Sequence, residues 1–272
     1  MTIADREALA ARTHRFISPH YDDIALSCGG LAARLAANGV TPRVEVVFGQ
    51  EPAPDQPLSA FAEAMHAGWG LGAADAITGR RAEEAAAARV LGAETALLPF
   101  RDAIYRGDRY TGDDLLFAAP TADEADLPGE IAASLGLADR PDRAVRFYVP
   151  LGVGGHVDHR LAYGAGVLLA RRGWEVLFFE DLPYALTPDG LERRLEALAA
   201  ETPMEPGPTV PIGPYWDAKI DAVLAYPSQL ETIFRQYVGV GTSRDEIAAA
   251  LRTYAEGIGG GEAAERFWRL GQ

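Results

Sequence analysis

The chain has 272 residues, 48% of them hydrophobic and 24% charged, with no apolar run of membrane-spanning length, so neither a disordered chain nor a membrane-embedded one is expected. Its net charge of −14, from 39 acidic against 25 basic residues, repels phosphate backbones and anionic lipid, which argues against nucleic acid or a membrane as partner. One cysteine, Cys28, excludes a disulfide framework, a cysteine-rich zinc cluster and an iron–sulfur site; one lysine, Lys219 in the amphipathic stretch WDAKIDAVL, leaves little room for Schiff-base or phosphate-loop chemistry.

The N-terminal stretch MTIADREALAARTHRF carries no uninterrupted apolar core, so no secretory signal is expected and the cytoplasm is the default location. Residues 15–18 read as a strand. A helix over 24–37 follows and ends at Asn38-Gly39, a pair suited to a left-handed C-cap. The β-branched run 44–48 is the second strand, RRAEEAAAARVL (80–91) the clearest helix, and 97–100 and 145–149 further strands. A helix over 158–172 and a strand over 175–179 complete the alternation, which indicates a mainly parallel sheet covered on both faces. Two segments break the rhythm. Residues 101–128 read as a polar loop excursion, and 202–214, with prolines at 203, 206, 208, 211 and 214, as a rigid extended connector. Residues 215–272 then read as a helical extension, with helices over 216–225, 228–237 and 243–255. A single domain over 1–272 is expected, and a homo-oligomer stays open.

Neither the dinucleotide glycine fingerprint nor the serine-hydrolase elbow occurs. The chemistry concentrates in two histidine–aspartate clusters. His20-Tyr21-Asp22-Asp23 follows the first strand, and His156-Val157-Asp158-His159 follows the strand VRFYVP across a glycine-rich turn. Turns at strand C-termini are where open parallel sheets bind ligands. If the two strands are neighbours, these histidines and aspartates meet in one crevice. That set suffices for a catalytic zinc site with an open position for water, plus a free carboxylate and a free imidazole. Each cluster has a plainer reading: an aspartate pair after a strand is often a helix N-cap, and surface histidines are common. His14 and His66 read as packing or surface histidines, Cys28 as a small buried thiol, and Arg80 as able to pair with Glu83 or Glu84 along a helix.

SPHYDDIALSCGG, RRAEEAAAARVLG and GGHVDHR, in this order, resemble the PIG-L/LmbE-like family of zinc-dependent N-acetylglucosamine deacetylases over roughly residues 14–180. The resemblance implies a Rossmann-like three-layer α/β sandwich and one zinc per chain, with His20, Asp23 and His159 as metal ligands. It implies Asp22 as the general base, His156 as the group that stabilises the oxyanion and assists the leaving amine, and Asp158 as the partner carboxylate of His156. Arg80 matches a substrate-contacting arginine, and Asp102 falls where the family has a carboxylate near the sugar. The commoner first motif reads H-P-D-D-E; Tyr21 stands here for the proline and Ile24 for the glutamate, a form similar to branches that act on sugar-bearing natural products. The expected activity is zinc-assisted removal of an acetyl or other small acyl group from an amino sugar or glycosylated small molecule. Hydrolysis of a non-sugar amide or ester, and a non-catalytic sugar-binding relative, are the alternatives.

Overall fold

The computed structural model describes residues 13–53, 55–70 and 76–271. Most of the N-terminal stretch read as lacking a signal, up to residue 12, lies outside them. Strands β1 (Thr13–Ser18), β2 (Arg43–Val46), β3 (Glu94–Leu97), β4 (Val145–Pro150), β5 (Glu175–Phe179), β6 (Met204–Pro211) and β7 (Ala264–Leu270) form one sheet in the order β3-β2-β1-β4-β5-β7-β6. β1 to β5 run parallel, and β7 is antiparallel to both β5 and β6. The central strands are buried on both faces, which is why β4 reads as a continuous apolar run: Phe147, Tyr148 and Val149 are fully buried. Helices α1 (Asp23–Ala37), α2 (Ala60–Gly68), α3 (Ala76–Leu91), α4 (Leu127–Ser134) and α5 (Val157–Arg171) follow in chain order. From β1 the chain moves outward to β2 and β3, whereas from β4 it moves the other way to β5. Right-handed crossovers in opposite directions put α1 and α3 on one face and α5 on the other. The outcome is a mostly parallel α/β sandwich. No helix among the described residues is long and apolar enough to cross a membrane.

The third strand lies earlier than the apolar run predicts. β3 is an exposed edge strand, so its sequence ETAL carries no burial pattern, while Leu98 is buried only where the chain leaves the sheet. The larger correction concerns the C-terminal part. The proline-rich segment read as a connector is β6, at the sheet edge, where a strand can lack N–H donors on its outer side. Helix α6 (Gly190–Leu198), not among the expected elements, precedes β6; the helical extension contains the expected helices, α7 (Trp216–Leu224), a helical stretch over 227–238 and α8 (Arg244–Gly259), but it ends in β7. β7 lies inside the sheet, with Phe267 fully buried and Trp268 nearly so. One apolar core therefore runs from Phe16 on β1 to Trp268 on β7.

The only lysine explains how this last strand is tied in. Lys219 on α7 is 2% exposed; its Nζ donates to the Leu26 carbonyl of α1 (2.6 Å) and to Glu265 Oε1 of β7 (2.8 Å). Glu265 also accepts from the N–H groups of Gly30 (2.9 Å) and Leu31 (2.8 Å) on α1. Gly30 is required by the same approach, since a Cβ there would lie 2.6 Å from Ile212. Helix α1 carries the first histidine–aspartate cluster, so the Lys219–Glu265 pair fixes the rear of the element that presents it. Removing one partner of a buried ion pair strands the other charge. Lys219→Met is expected to lower stability by about 3–5 kcal/mol, read as a fall in the urea midpoint at unchanged slope; a loss below about 1 kcal/mol would show the pair to be dispensable.

Candidate metal centre and active site

β1 and β4 are hydrogen-bonded neighbours in parallel, from Thr13↔Val145 to Phe16↔Tyr148. They flank the point where the strand order reverses, so the crevice beyond their C-terminal ends is the ligand-binding position of an open α/β sheet. His20, Asp22 and Asp23 leave β1 there, and His156, Asp158 and His159 leave β4. The turn before His156 needs glycine: Gly152, Gly154 and Gly155 have φ of 79°, 81° and 84°, and a Cβ on Gly154 would lie 2.5 Å from the Tyr184 ring.

One donor atom from each of His20, Asp23 and His159 lies within 4.8 Å of the others. His20 Nδ1 is 3.5 Å from Asp23 Oδ2, and His159 Nε2 is 3.4 Å from Asp23 Oδ1. These separations, to the two different oxygens of Asp23, are long for good hydrogen bonds and leave the three residues close enough to share one zinc ion. The other nitrogen of each imidazole is held by its own buried carboxylate. His20 Nε2 donates to Asp158 Oδ2 at 3.0 Å, and His159 Nδ1 donates to Asp181 Oδ1 at 2.6 Å. In its neutral form each ring would then offer a lone pair toward Asp23, the arrangement that supports metal-bound histidine; against burial, which lowers them, the carboxylates around His20 and His159 hold both imidazoles above their ordinary value. Two imidazoles and a carboxylate fit a zinc ion.

Asp181 was missed by the sequence reading. It follows β5 as the other acids follow β1 and β4, and the same end-of-strand rule would have singled it out. Its second oxygen accepts from the N–H groups of Gly152 and Val153, so it also shapes the glycine turn.

Asp158 stands differently from expectation. Its carboxylate is fully buried and ion-paired with Arg106 Nη2 (2.7 Å), and it accepts from the Ala103 N–H as well as from His20. His156 instead receives the backbone N–H of Asp158 on its Nδ1 (3.2 Å). Burial, with His20 close by, pushes the His156 imidazole well below its ordinary value, so the ring faces the cavity as a neutral Nε2–H donor rather than an imidazolium.

Asp22 occupies the N-cap position of α1 without a capping bond. Its Oδ1 accepts from Arg80 Nη2 at 2.9 Å. Arg80 is thus bound to Asp22 rather than to Glu83 or Glu84; its guanidinium lies over the rings of Trp69 (4.9 Å) and Tyr21 (5.3 Å). Burial and the neighbouring Asp23 raise the Asp22 pKa against the pull of Arg80. Asp23 moves the other way: burial would raise it, but His159 and His20 hold it well below the usual range. Asp102 lies 3.7 Å from His20 Nε2 and accepts from the Ile104 N–H. His20, Asp22, Asp23, Arg80, Asp102 and His156 all line one cavity of about 360 Å³. The 101–128 excursion forms part of its wall; with α2 it packs into a second apolar cluster around Trp69, Tyr105 and Tyr110.

The glutamates that Arg80 leaves aside brace this floor from below. Glu83 accepts from Ser228, and Glu84 from Thr95 and Tyr226. The Tyr226 hydroxyl also reaches the Tyr21 carbonyl at 2.8 Å. A phenol has one proton, so while Tyr226 donates to Tyr21 the other bond needs a protonated Glu84. Burial pushes the Glu84 carboxyl up from 4.5 to about 7, in keeping with that count.

The PIG-L family model (GlcNAc-PI de-N-acetylase) matches residues 15–170, more than half of the chain. The chain belongs to the PIG-L family. It is 34% identical over 238 residues to 2′-N-acetylparomamine deacetylase of Streptomyces fradiae, covering 83% of this chain and 76% of that one. With the enzyme of the same name from Niallia circulans it shares 35% identity over 190 residues, 64% and 68% of the two chains. A deacetylase of the teicoplanin biosynthesis pathway superposes with a TM-score of 0.74 at 27% identity over 94% of this chain and 96% of its own. A teicoplanin deacetylase has also been solved in a zinc-inhibited form, with a TM-score of 0.73 at 27% identity. These PIG-L relatives are deacetylases, and the chain is an enzyme of that hydrolase class.

Two expectations follow. Asp158→Ala and Asp181→Ala should each weaken zinc binding about 10–100-fold in a calorimetric titration, because each leaves one imidazole unoriented; unchanged affinity in both would remove the carboxylates from the metal's support. Glu84, with its folded pKa raised, binds more protons folded than unfolded between pH 4.5 and about 7, so its contribution to stability falls as pH rises through that window. Glu84→Gln should flatten this loss, seen as a smaller drop in melting temperature from pH 5 to pH 8 than in the parent; parallel curves would place the Glu84 pKa near 4.5.

Proposed function

We propose that the chain removes an N-acetyl, or another small N-acyl, group from an amino sugar within a glycosylated small molecule, with one zinc per chain held by His20, Asp23 and His159. The observation that carries the reading is the convergence of those three donors, with His20 and Asp23 lining a single cavity beside Asp22 and His159 buried behind them. The relatives named for acetylparomamine and teicoplanin support an acylated sugar as substrate.

An amide is a weak electrophile with a poor leaving group, so hydrolysis needs help at the water, the carbonyl oxygen and the nitrogen. Zinc, when bound, supplies Lewis acidity that lowers the pKa of water and polarises the carbonyl. Asp22 neighbours a metal ligand without being committed to it. Arg80 holds one of its oxygens and leaves the other to take the proton of the attacking water. His156, neutral and fixed through Nδ1, donates its Nε2–H to the carbonyl oxygen as negative charge grows there. Because His156 carries no spare proton, Asp22 is also the group that returns a proton to the departing amine. Asp102, on the cavity wall, is placed to accept from a sugar hydroxyl, and Arg80 contributes through Asp22 and the cavity side.

The reading is tested by release of free amine from a panel of N-acetylated amino sugars, 2′-N-acetylparomamine among them; no release from any of them by zinc-replete protein would overturn it. The two adjacent aspartates give a sharper outcome. Asp22→Asn should keep its zinc and lose about 10²–10⁴-fold in kcat, since the amide cannot accept the proton. Asp23→Asn should lose zinc affinity first, with activity partly restored as zinc is titrated upward. Were Asp22→Asn the variant that zinc restores, base and ligand would have to be exchanged.

A further inference from the structure

Helix α3 holds the turn that carries Asp22 by two side chains, and the hydrolysis as written uses only one of them. Arg80 grips the Asp22 carboxylate. Glu84, one helical turn further along the same face, reaches the backbone of that turn through Tyr226. The Tyr226 hydroxyl lies 2.8 Å from the Tyr21 carbonyl and is bonded to Glu84 Oε2, while Glu84 Oε1 accepts from Thr95 on β3 at 2.8 Å. Tyr226 is 3% exposed and Glu84 5%, so water does not compete for these bonds. The backbone that carries Tyr226 is anchored separately, because Glu83 accepts from the Ser228 N–H (2.9 Å) and hydroxyl (2.7 Å).

The Tyr21 carbonyl belongs to the same planar peptide as the Asp22 N–H. A donor on that oxygen fixes the plane from which the Asp22 side chain departs. The donor is present only while Glu84 is a carboxylic acid: protonated on Oε2, it donates to the phenol oxygen, and the phenol donates to Tyr21. Once ionised, Glu84 accepts the phenol proton instead. Two oxygens with only lone pairs between them then face each other across 2.8 Å at Tyr21. The peptide has to give way, and a displaced base loses rate. The charged and titratable groups around Glu84 are Arg80 on its own helix, Tyr21 and Asp22 at the β1–α1 turn, and Tyr226 beyond α7. Burial raises the Glu84 carboxyl to about 7, with Tyr226, Thr95 and Arg80 opposing and Asp22 adding to the rise. Burial and Glu84 push the Tyr226 phenol well above its ordinary value, so it keeps its proton over the same range.

We propose that Tyr226 is a positioning residue for Asp22: with its oxygen held by protonated Glu84, it donates to the Tyr21 carbonyl and fixes the base, and ionisation of Glu84 releases that hold and slows hydrolysis. Asp22 acts as base in the proposed hydrolysis, and the positioning role rests on that reading. Neither Tyr226 nor Glu84 lines the cavity, so the effect falls on kcat and leaves KM with the parent.

The test measures kcat and KM for amine release from 2′-N-acetylparomamine by the zinc-loaded parent, Glu84→Gln and Tyr226→Phe, from about pH 6 to about pH 8.5. Each variant is expressed relative to the parent at the same pH, which cancels the ionisations they share. Glu84→Gln is nearly isosteric and its amide donates to the phenol at every pH, so its kcat ratio should climb roughly tenfold across the range. Tyr226→Phe has no donor at any pH; its ratio should start roughly tenfold below one and approach one as Glu84 ionises. A role in packing alone would lower either variant by the same factor at every pH. A flat ratio for Glu84→Gln, parent kcat in Tyr226→Phe at the acidic end, or an effect confined to KM overturns the positioning role. The carbonyl carbon shift of Tyr21 in an NMR titration reads the same hold without turnover. It should step at about pH 7 in the parent and lack that step in both variants. A step with no amine released would sink the hydrolytic reading and leave the hold on the Tyr21–Asp22 peptide. Amine release without the step would sink the positioning role and leave the hydrolysis.

Discussion

The parallel pairing of β1 with β4 is the constraint on which the rest of the site depends. Neither histidine–aspartate cluster is a site alone. Each supplies part of the proposed metal site, incomplete without the other, and they are separated by more than a hundred residues of chain. Strand pairing from Thr13↔Val145 to Phe16↔Tyr148 removes that separation by placing both strand ends on one side of a rigid, buried sheet. Because the strand order reverses between these two strands, the helices that follow them, α1 and α5, depart to opposite faces and leave the gap open between them. A one-residue change of register would turn alternate side chains over and bury the wrong face, so the core residues of β1 and β4 fix the position of the chemistry as surely as the ligands do.

Within that gap, the histidines owe their orientation to carboxylates. Asp158 and Asp181 are both fully buried and both hold the far nitrogen of an imidazole that faces Asp23. A carboxylate buried without partners would be protonated or expelled. Asp158 avoids this through Arg106 and the Ala103 N–H, and Asp181 through the N–H groups of Gly152 and Val153. Arg106 in turn pairs with Glu124, which accepts from Tyr110. The excursion over 101–128, irregular in outline, thus holds from outside the carboxylate that orients His20.

The sequence made the alternation of the first half legible because buried parallel strands are apolar along their whole length and the helices between them end in glycine or asparagine. The two clusters were legible for a related reason: polar residues that immediately follow a buried strand are conspicuous. The same signal was present at Glu180-Asp181 after EVLFF. What could not be read locally were relations set by distant packing. β3 is exposed and carries no burial pattern; the prolines of β6 are tolerated only because it is an edge. β7 is a strand because β5 and β6 flank it, and its AERFWRL sequence has charges placed against Lys219 and Glu180 that make sense only in the folded chain. The partner of Asp158 was hidden likewise, since Arg106 is remote in sequence from every motif.

Charge gives the final step. The net charge of −14 says little about where the acids lie, but around His20 they crowd: Asp22, Asp23, Asp102 and Asp158 all reach the same floor. Two arginines answer them, and each is already shared. Arg80 is spent on Asp22, and Arg106 is divided between Asp158 and Glu124. Arginine suits both places because it stays charged when buried and its planar fork can stack on Tyr21, Trp69, Phe48 and Tyr110 while it binds a carboxylate. Asp23 receives no arginine; what faces it is a pair of imidazoles. A group so placed keeps its negative charge either by drawing protons onto His20 and His159 or by meeting a divalent cation between them. In the first case the imidazoles point N–H bonds at Asp23; in the second they point lone pairs at the metal. Asp158 and Asp181 hold the far nitrogen of each ring and serve both cases: they stabilise the imidazolium, and in the neutral ring they leave a lone pair facing Asp23 for the cation.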